Sequence, residues 1–176
     1  MGLTNMADFV TGNDIAGLDH NAFRAVLNAV ITAEADIAGI SLSGLDLTTR
    51  DNDPDAGVDG RANFPPAFQH ELLASGDTAI QYKSGKLTEG ELRKEFVKPG
   101  VLSTLKAGGK YILFVGHDYV PTTRKDREKT LKELCKQKSI TFNRCTIVYG
   151  DQIARWVSRH IGVAIMPQLG KGLRAL

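Results

Sequence analysis

Helical and strand-like patterns alternate along most of this 176-residue chain, and this alternation most constrains its fold. The segment KYILFVG, Lys110 to Gly116, is strongly apolar and predicts a strand. Thr122–Lys138, a charged segment with an apolar stripe, predicts a helix, and RCTIVYG, Arg144–Gly150, predicts another strand. A last helix is expected from Asp151, as its N-cap, to about Ile161. The order is that of an α/β protein.

The amino-terminal half predicts one long helix and three strands. The helix spans His20 to Asp36, with Asp19 as its N-cap. The polar, Pro- and Gly-containing segment Thr48–Gly57 predicts a loop. Ala67–Ala74 predicts a short helix that Gly76 closes. The expected strands are Ile40–Leu47, Val58–Phe64 and Asp77–Ser84.

Two further helices are expected between the third and fourth strands. Thr88-x-x-Glu91 is a capping box that opens a helix to about Val97. Pro99 suits the first turn of the next helix. Gly108 and Gly109 end that helix. Together these patterns predict an α/β fold, a central mixed β-sheet flanked by helices.

Composition narrows the class of protein. Hydrophobic residues make up 42% and charged residues 24%, which is ordinary globular composition. The net charge of +2 does not decide for or against a polyanionic partner. The apolar runs are too short for a membrane helix, so we expect a cytoplasmic protein without membrane contact. Cys135 and Cys145 lack metal-site spacing and predict reduced thiols rather than a disulfide.

Three segments are expected along the chain. Residues 1–18 predict an N-terminal extension or an artificial addition, and residues 19–167 the folded domain. Residues 168–176 predict a tail or the start of a linker to a further module.

Four polar side chains are candidates for one site. Gln81 and Lys83 are two apart on the third strand and share one face, and Asp59 lies on the second strand. If these strands pair as a hairpin, the three side chains converge, and Glu34, on the apolar stripe of the first helix, reaches the same place. Carboxylate and amide oxygens suit Mg²⁺ or Mn²⁺. A lysine beside them orients water and offsets charge on a phosphate. The set predicts metal-assisted phosphodiester hydrolysis.

These residues also carry a family resemblance. DAGVDG, Asp55 to Gly60, followed by IQYKSG, Ile80 to Gly85, resembles the PD-(D/E)xK nuclease superfamily, most closely its Mrr-like restriction endonuclease branch. The resemblance implies a restriction-endonuclease-like core and an endonuclease that hydrolyses DNA, usually double-stranded. The commonest superfamily residue at position 81 is Glu, whereas Mrr-like enzymes resemble this chain in carrying Gln.

The resemblance also implies roles for individual residues. Asp59, Gln81 and Lys83 match the catalytic positions, and Glu34 the glutamate of the first helix. The implied metal ligands for Mg²⁺ or Mn²⁺ are Glu34, Asp59, Gln81 and the backbone carbonyl of Tyr82. We expect Arg61, Ser84 and Lys86, which lie near the motifs, to contact the DNA backbone. Such domains often form the effector of bacterial anti-phage proteins, as homo-oligomers or fused to a sensor or NTPase module.

Several alternatives stay open at this stage. Glu34 either joins the site or reaches solvent. Asp55 either binds metal or serves the turn, whereas Asp53 favours the turn. The whole domain is either an active nuclease or a catalytically inactive module for nucleic-acid binding or assembly. A hydrolase of a smaller phosphodiester is the third reading.

Overall fold

Five strands form one mixed sheet in the computed structural model, which describes residues 9–47 and 57–165. They follow the chain order across the sheet, β1-β2-β3-β4-β5. The first three are antiparallel neighbours, and β3, β4 and β5 are parallel. The predicted hairpin and the α/β class with a mixed sheet are thus confirmed. The strands are β1 (Leu45–Leu47), β2 (Gly60–Phe64), β3 (Gly76–Lys83), β4 (Lys110–Val115) and β5 (Cys145–Val148).

Helices cover both faces of this sheet. None of those in the described residues is long and apolar enough to cross a membrane. They are α1 (Gly12–Ala16), α2 (His20–Ile37), α3 (Glu89–Phe96), α4 (Pro99–Lys106), α5 (Pro121–Gln137), α6 (Gly150–Ser158) and α7 (Ile161–Ala164).

The alternation of side chains along β3 divides the core into two layers. Ile80 and Tyr82 face α1, α2, α6 and α7, in a layer that also buries Trp156. Ala79 faces α3, α4 and α5 in the second layer. Gln81 lies between Ala79 and Lys83 on this second face and is fully buried. The helix α3 therefore packs on the face of the sheet from which Gln81 and Lys83, the Gln-x-Lys motif, project.

Local signals fix the ends of the helices nearest the motif. The Asp19 carboxylate accepts a hydrogen bond of 2.8 Å from the Ala22 amide and caps α2. Thr88 and Glu91 form the predicted capping box of α3. Pro99 occupies the first turn of α4 as predicted, where a missing amide hydrogen costs little.

Three local predictions are wrong. Ala67–Ala74 is a loop rather than a helix, because the His70 imidazole takes the Leu72 and Leu73 amide hydrogens that a helix would use. The first strand is shorter than predicted, since a 3₁₀ turn at Leu42–Gly44 precedes β1. Asp151 is not the N-cap of α6, since Tyr149 holds that position and bonds to the Gln152 side chain.

The described part of the N-terminal segment packs in the core. Val10 and Ile15 are fully buried, and the Val10 amide donates to the Ser158 hydroxyl on α6 at 3.0 Å. Residues 9–18 are therefore built into the same layer as α6. The predictions about Asp53 and Asp55 lie outside the described residues, as does the tail at 168–176.

Candidate active site

The ends of β2 and β3 bring the two motifs together. Gly60 pairs with Ile80 across the antiparallel strands, so Asp59 stands beside the end of β3. The Asp59 amide donates to the Ile80 carbonyl at 2.9 Å. The Tyr82 amide in turn donates to Asp59 Oδ2 at 2.8 Å. Two main-chain contacts therefore fix where the Asp59 carboxylate lies.

An open pocket of about 410 Å³ lies over this junction. The Asp59 side chain is 25% exposed, and its carboxylate can meet a ligand there. Helix α2 contributes to one wall and α3 to another. The residues that bear on the chemistry of this pocket are Arg24, Asp59, Tyr82, Lys83, Ser84 and Glu95.

Lys83 points toward helix α3. Its Nζ lies 2.7 Å from Glu91 Oε1, and the two side chains are about one-third exposed. The hydrogen bond from the Lys83 ammonium lowers the pKa of Glu91 to about 2, and bonds from Thr88 add to the effect. The carboxylate of Glu91 is thus ionised at neutral pH and holds the ammonium at the rim of the pocket.

The amide of Gln81 is turned away from the role that the sequence predicts for it. Its Oε1 accepts a 2.6 Å hydrogen bond from the buried Tyr111 hydroxyl. Its Nε2 donates to the Gly57 carbonyl at 2.6 Å and to Glu95 Oε2 at 2.8 Å. In this arrangement the oxygen faces Tyr111 in the core, and the nitrogen faces Gly57 and Glu95.

Glu34 lies elsewhere. It follows Arg24, which reaches the pocket, by ten residues on α2, so the rise of the helix separates them by about 15 Å. Glu34 Oε1 accepts a hydrogen bond of 2.8 Å from the Trp156 indole N–H. The same oxygen lies 2.8 Å from His160 Nε2. The structure therefore does not bring Glu34 to Asp59.

The environment of Glu34 is that of a structural carboxylate. Burial acts to raise its pKa, but the hydrogen bonds from Trp156, His160 and His70 outweigh it, and the pKa is lowered. His70 Nε2 lies 3.2 Å from the same oxygen. Because His70 Nδ1 accepts two backbone amide hydrogens, Nε2 carries the ring hydrogen and points it at Glu34. Such a nitrogen has no lone pair to offer a metal.

The three predicted DNA contacts lie in three different settings. Ser84 lines the pocket. Lys86 is exposed outside the pocket lining. Arg61 donates a 2.8 Å hydrogen bond to the Thr104 hydroxyl, so its guanidinium is held between the sheet and α4. Only Ser84 thus shares the pocket with Asp59.

The sequence reasoning missed several side chains of the pocket, among them Arg24 and Glu95. Arg24 is buried in the first turns of α2, with Nη2 3.6 Å from Asp59 Oδ1 and 2.8 Å from His20 Nε2. Glu95 on α3 is 21% exposed and also lies 2.5 Å from Lys98 Nζ. The available signal for Glu95 was its place one helical turn after Glu91, the glutamate of the capping box.

The pocket fits a divalent cation in one respect. Asp59 and Glu95 present carboxylates to one open space, and Mg²⁺ commonly uses one or two carboxylates, with waters and substrate phosphates completing its shell. Within residues 9–47 and 57–165, no group of three or more His, Cys, Asp or Glu is arranged to hold a metal ion. The fit is therefore to a sparsely liganded ion, not to an all-protein cage.

Comparison with known proteins finds one similar structure. No protein-family model matches the chain, and no curated protein matches it. A complex of the MspJI restriction endonuclease with a 27-mer oligonucleotide is similar in structure, with a TM-score of 0.42 and 16% identity. The similarity covers 88% of this chain and 30% of the restriction endonuclease chain. This chain thus spans less than a third of that protein's length.

Proposed function

We propose that this domain is an endonuclease that hydrolyses DNA phosphodiester bonds with a divalent cation, Mg²⁺ or Mn²⁺. The observation that carries the proposal is that Asp59 and Lys83 border one open pocket at the ends of two paired strands. The sequence resemblance of the two motifs supports the same assignment. The sequence resemblance alone supports duplex DNA as the substrate. It is also the only support for a role in anti-phage defence.

The residues of the pocket divide the work of hydrolysis. Asp59 and the main-chain carbonyl of Tyr82 would hold the cation, whose chemistry is to polarise the phosphate and lower the pKa of bound water. The Lys83 ammonium stabilises the negative charge that develops on the phosphate and orients the attacking water. Since Glu91 Oε1 lies 2.7 Å from this ammonium, a bound phosphate would replace Glu91 as its partner.

The test is cleavage of supercoiled plasmid by the purified protein at high concentration. Reactions contain Mg²⁺, Mn²⁺ or EDTA, and single-stranded RNA is offered in parallel to separate DNA from RNA activity. Lys83→Ala and Asp59→Asn should abolish cleavage, and Lys136→Ala, which removes an exposed lysine from α5, should retain it. Cleavage by Lys83→Ala at the wild-type rate would contradict the proposal.

A second function has its own observation in its favour. The Gln81 oxygen is committed to Tyr111, and Asp59 already faces Arg24, so the pocket is internally compensated. A nuclease fold of this kind suits a module that binds nucleic acid or assembles without hydrolysis. DNA binding that persists in EDTA, together with calorimetry showing no uptake of Mg²⁺ or Mn²⁺, would favour this second function.

A further inference from the structure

The three hydrogen bonds of Gln81 fix which way its amide points. The side chain is fully buried, and its two contacts on the nitrogen side are the Gly57 carbonyl and the Glu95 carboxylate. Both are acceptors, so an exchanged amide would place an oxygen against two oxygens. Tyr111 then completes the arrangement by donating to Oε1. The amide of Gln81 therefore presents a donor toward the pocket.

What Gln81 positions is the carboxylate of Glu95. Two glutamates of α3 contact the two residues of the Gln-x-Lys motif: Glu91 contacts Lys83, and Glu95 contacts Gln81. Four residues of an α-helix span about 6 Å, and two residues of a β-strand span about 6.6 Å. The spacing of Glu91 and Glu95 on α3 therefore matches the spacing of Lys83 and Gln81 on β3. The pairs run in opposite chain directions, and α3 therefore lies antiparallel along the end of β3.

We infer that Glu95 is the second carboxylate of the cation site and that Gln81 is the positioning residue that holds it. The inference rests on the proposed function. Glu95 takes the place of the two residues that the sequence predicts as the second oxygen ligand, Gln81 and Glu34. The Gln81 oxygen points inward to Tyr111, and Glu34 lies in another part of the molecule. Asp59 and Glu95 border the same pocket.

Side-chain cations lie next to both carboxylates. Arg24 stands 3.6 Å from Asp59, and Lys98 stands 2.5 Å from Glu95. A divalent cation held by the two carboxylates would compete with both side-chain cations. If Glu95 is a ligand, removing the Lys98 ammonium removes a competitor, and the affinity for the cation rises about two- to fivefold, the range of a partly exposed ion pair.

The experiment is titration of the full chain with Mn²⁺, with the free ion quantified by electron paramagnetic resonance. This readout does not depend on cleavage. Asp59→Asn and Glu95→Gln should each weaken Mn²⁺ binding about tenfold or more, and Glu34→Gln should leave it unchanged. Lys98→Ala should strengthen it. Weakened binding in Asp59→Asn but wild-type binding in Glu95→Gln would overturn the inference and leave the proposed function standing. Wild-type protein that binds no Mn²⁺ would overturn both.

The Gln81→Glu variant distinguishes a metal-ligand role of Gln81 from a positioning role, because the two roles predict opposite changes in Mn²⁺ affinity. A ligand at this position would bind Mn²⁺ more tightly as a carboxylate than as an amide. A positioning donor loses both of its nitrogen contacts and gains a repulsive charge beside Glu95, so Mn²⁺ affinity falls about 10- to 100-fold. Circular dichroism at the titration temperature confirms that the variant is folded. Tighter binding by Gln81→Glu would overturn the positioning role.

Discussion

The Tyr111 hydroxyl donates a 2.6 Å hydrogen bond to the amide oxygen of Gln81, across the parallel strands β3 and β4. Both side chains are fully buried, and burial raises the pKa of Tyr111 well above its ordinary value. The phenol is thus a permanent donor, and it keeps the Gln81 oxygen out of the pocket.

Tyr111→Phe removes that donor and leaves a buried amide oxygen without its partner. We expect the free energy of unfolding to fall by about 1–3 kcal/mol. Urea denaturation monitored by fluorescence measures the change. Tyr149→Phe, which removes the hydroxyl of another buried tyrosine, on the β5–α6 connection, is the comparison. Equal stability of Tyr111→Phe and wild type would mean that the hydrogen bond contributes nothing.

The Lys83–Glu91 pair predicts a pH dependence of stability. The pKa of Glu91 is lowered from 4.5 to about 2 in the folded protein, so the folded state favours the ionised carboxylate. The stabilisation is therefore complete above about pH 4.5 and is lost as the pH falls toward about 2. Because the pair is about one-third exposed, screening limits its contribution to about 1 kcal/mol or less.

Glu91→Gln should therefore be less stable than wild type near neutral pH and converge with it in acid. Urea denaturation at a series of pH values measures the convergence. Glu133→Gln, at a more exposed glutamate that lies near Arg93, should show a smaller difference at every pH. A difference between Glu91→Gln and wild type that grows in acid would contradict the assignment of the low pKa.

Glu34 is expected to stabilise the layer between α2 and α6. Glu34→Ala leaves the Trp156 indole N–H and the histidines without their shared acceptor, and should cost about 1–3 kcal/mol at neutral pH. Thermal unfolding measures the loss. Glu71→Ala removes an exposed glutamate paired with Arg159 and should have little effect. A Glu34→Ala protein as stable as Glu71→Ala would show that the cluster is dispensable for stability.

Gly57 combines a left-handed backbone with a close neighbour. Its φ is +83°, and a Cβ built there would lie 2.7 Å from Lys98 Cδ. Gly57→Ala should therefore destabilise the protein by about 1–2 kcal/mol from the backbone alone. Gly85→Ala is the control, because its added methyl group meets no atom within 4 Å. Equal denaturation midpoints for the two variants would contradict the prediction.

The sequence determined the elements of this fold and part of the site. Periodicity placed α2, β3, β4 and α5 close to their observed bounds, because side-chain spacing follows helix and strand geometry directly. It failed at Ala67–Ala74, where a histidine side chain competes for the backbone amides of a helix. The pairing of Asp59 with the end of β3 was also readable, since two adjacent strands joined in sequence tend to form a hairpin.

The tertiary structure decided what the side chains do. Glu34 carries the right chemistry but lies about 15 Å along its helix from the turn that meets Asp59. Gln81 lies on the predicted face of β3, but its amide oxygen points to the Tyr111 hydroxyl on the neighbouring strand. No local sequence pattern encodes this contact. Glu95 reaches the pocket only because α3 docks antiparallel to β3. Buried polar groups turn toward whichever partners packing supplies, and that choice is made only when distant segments meet.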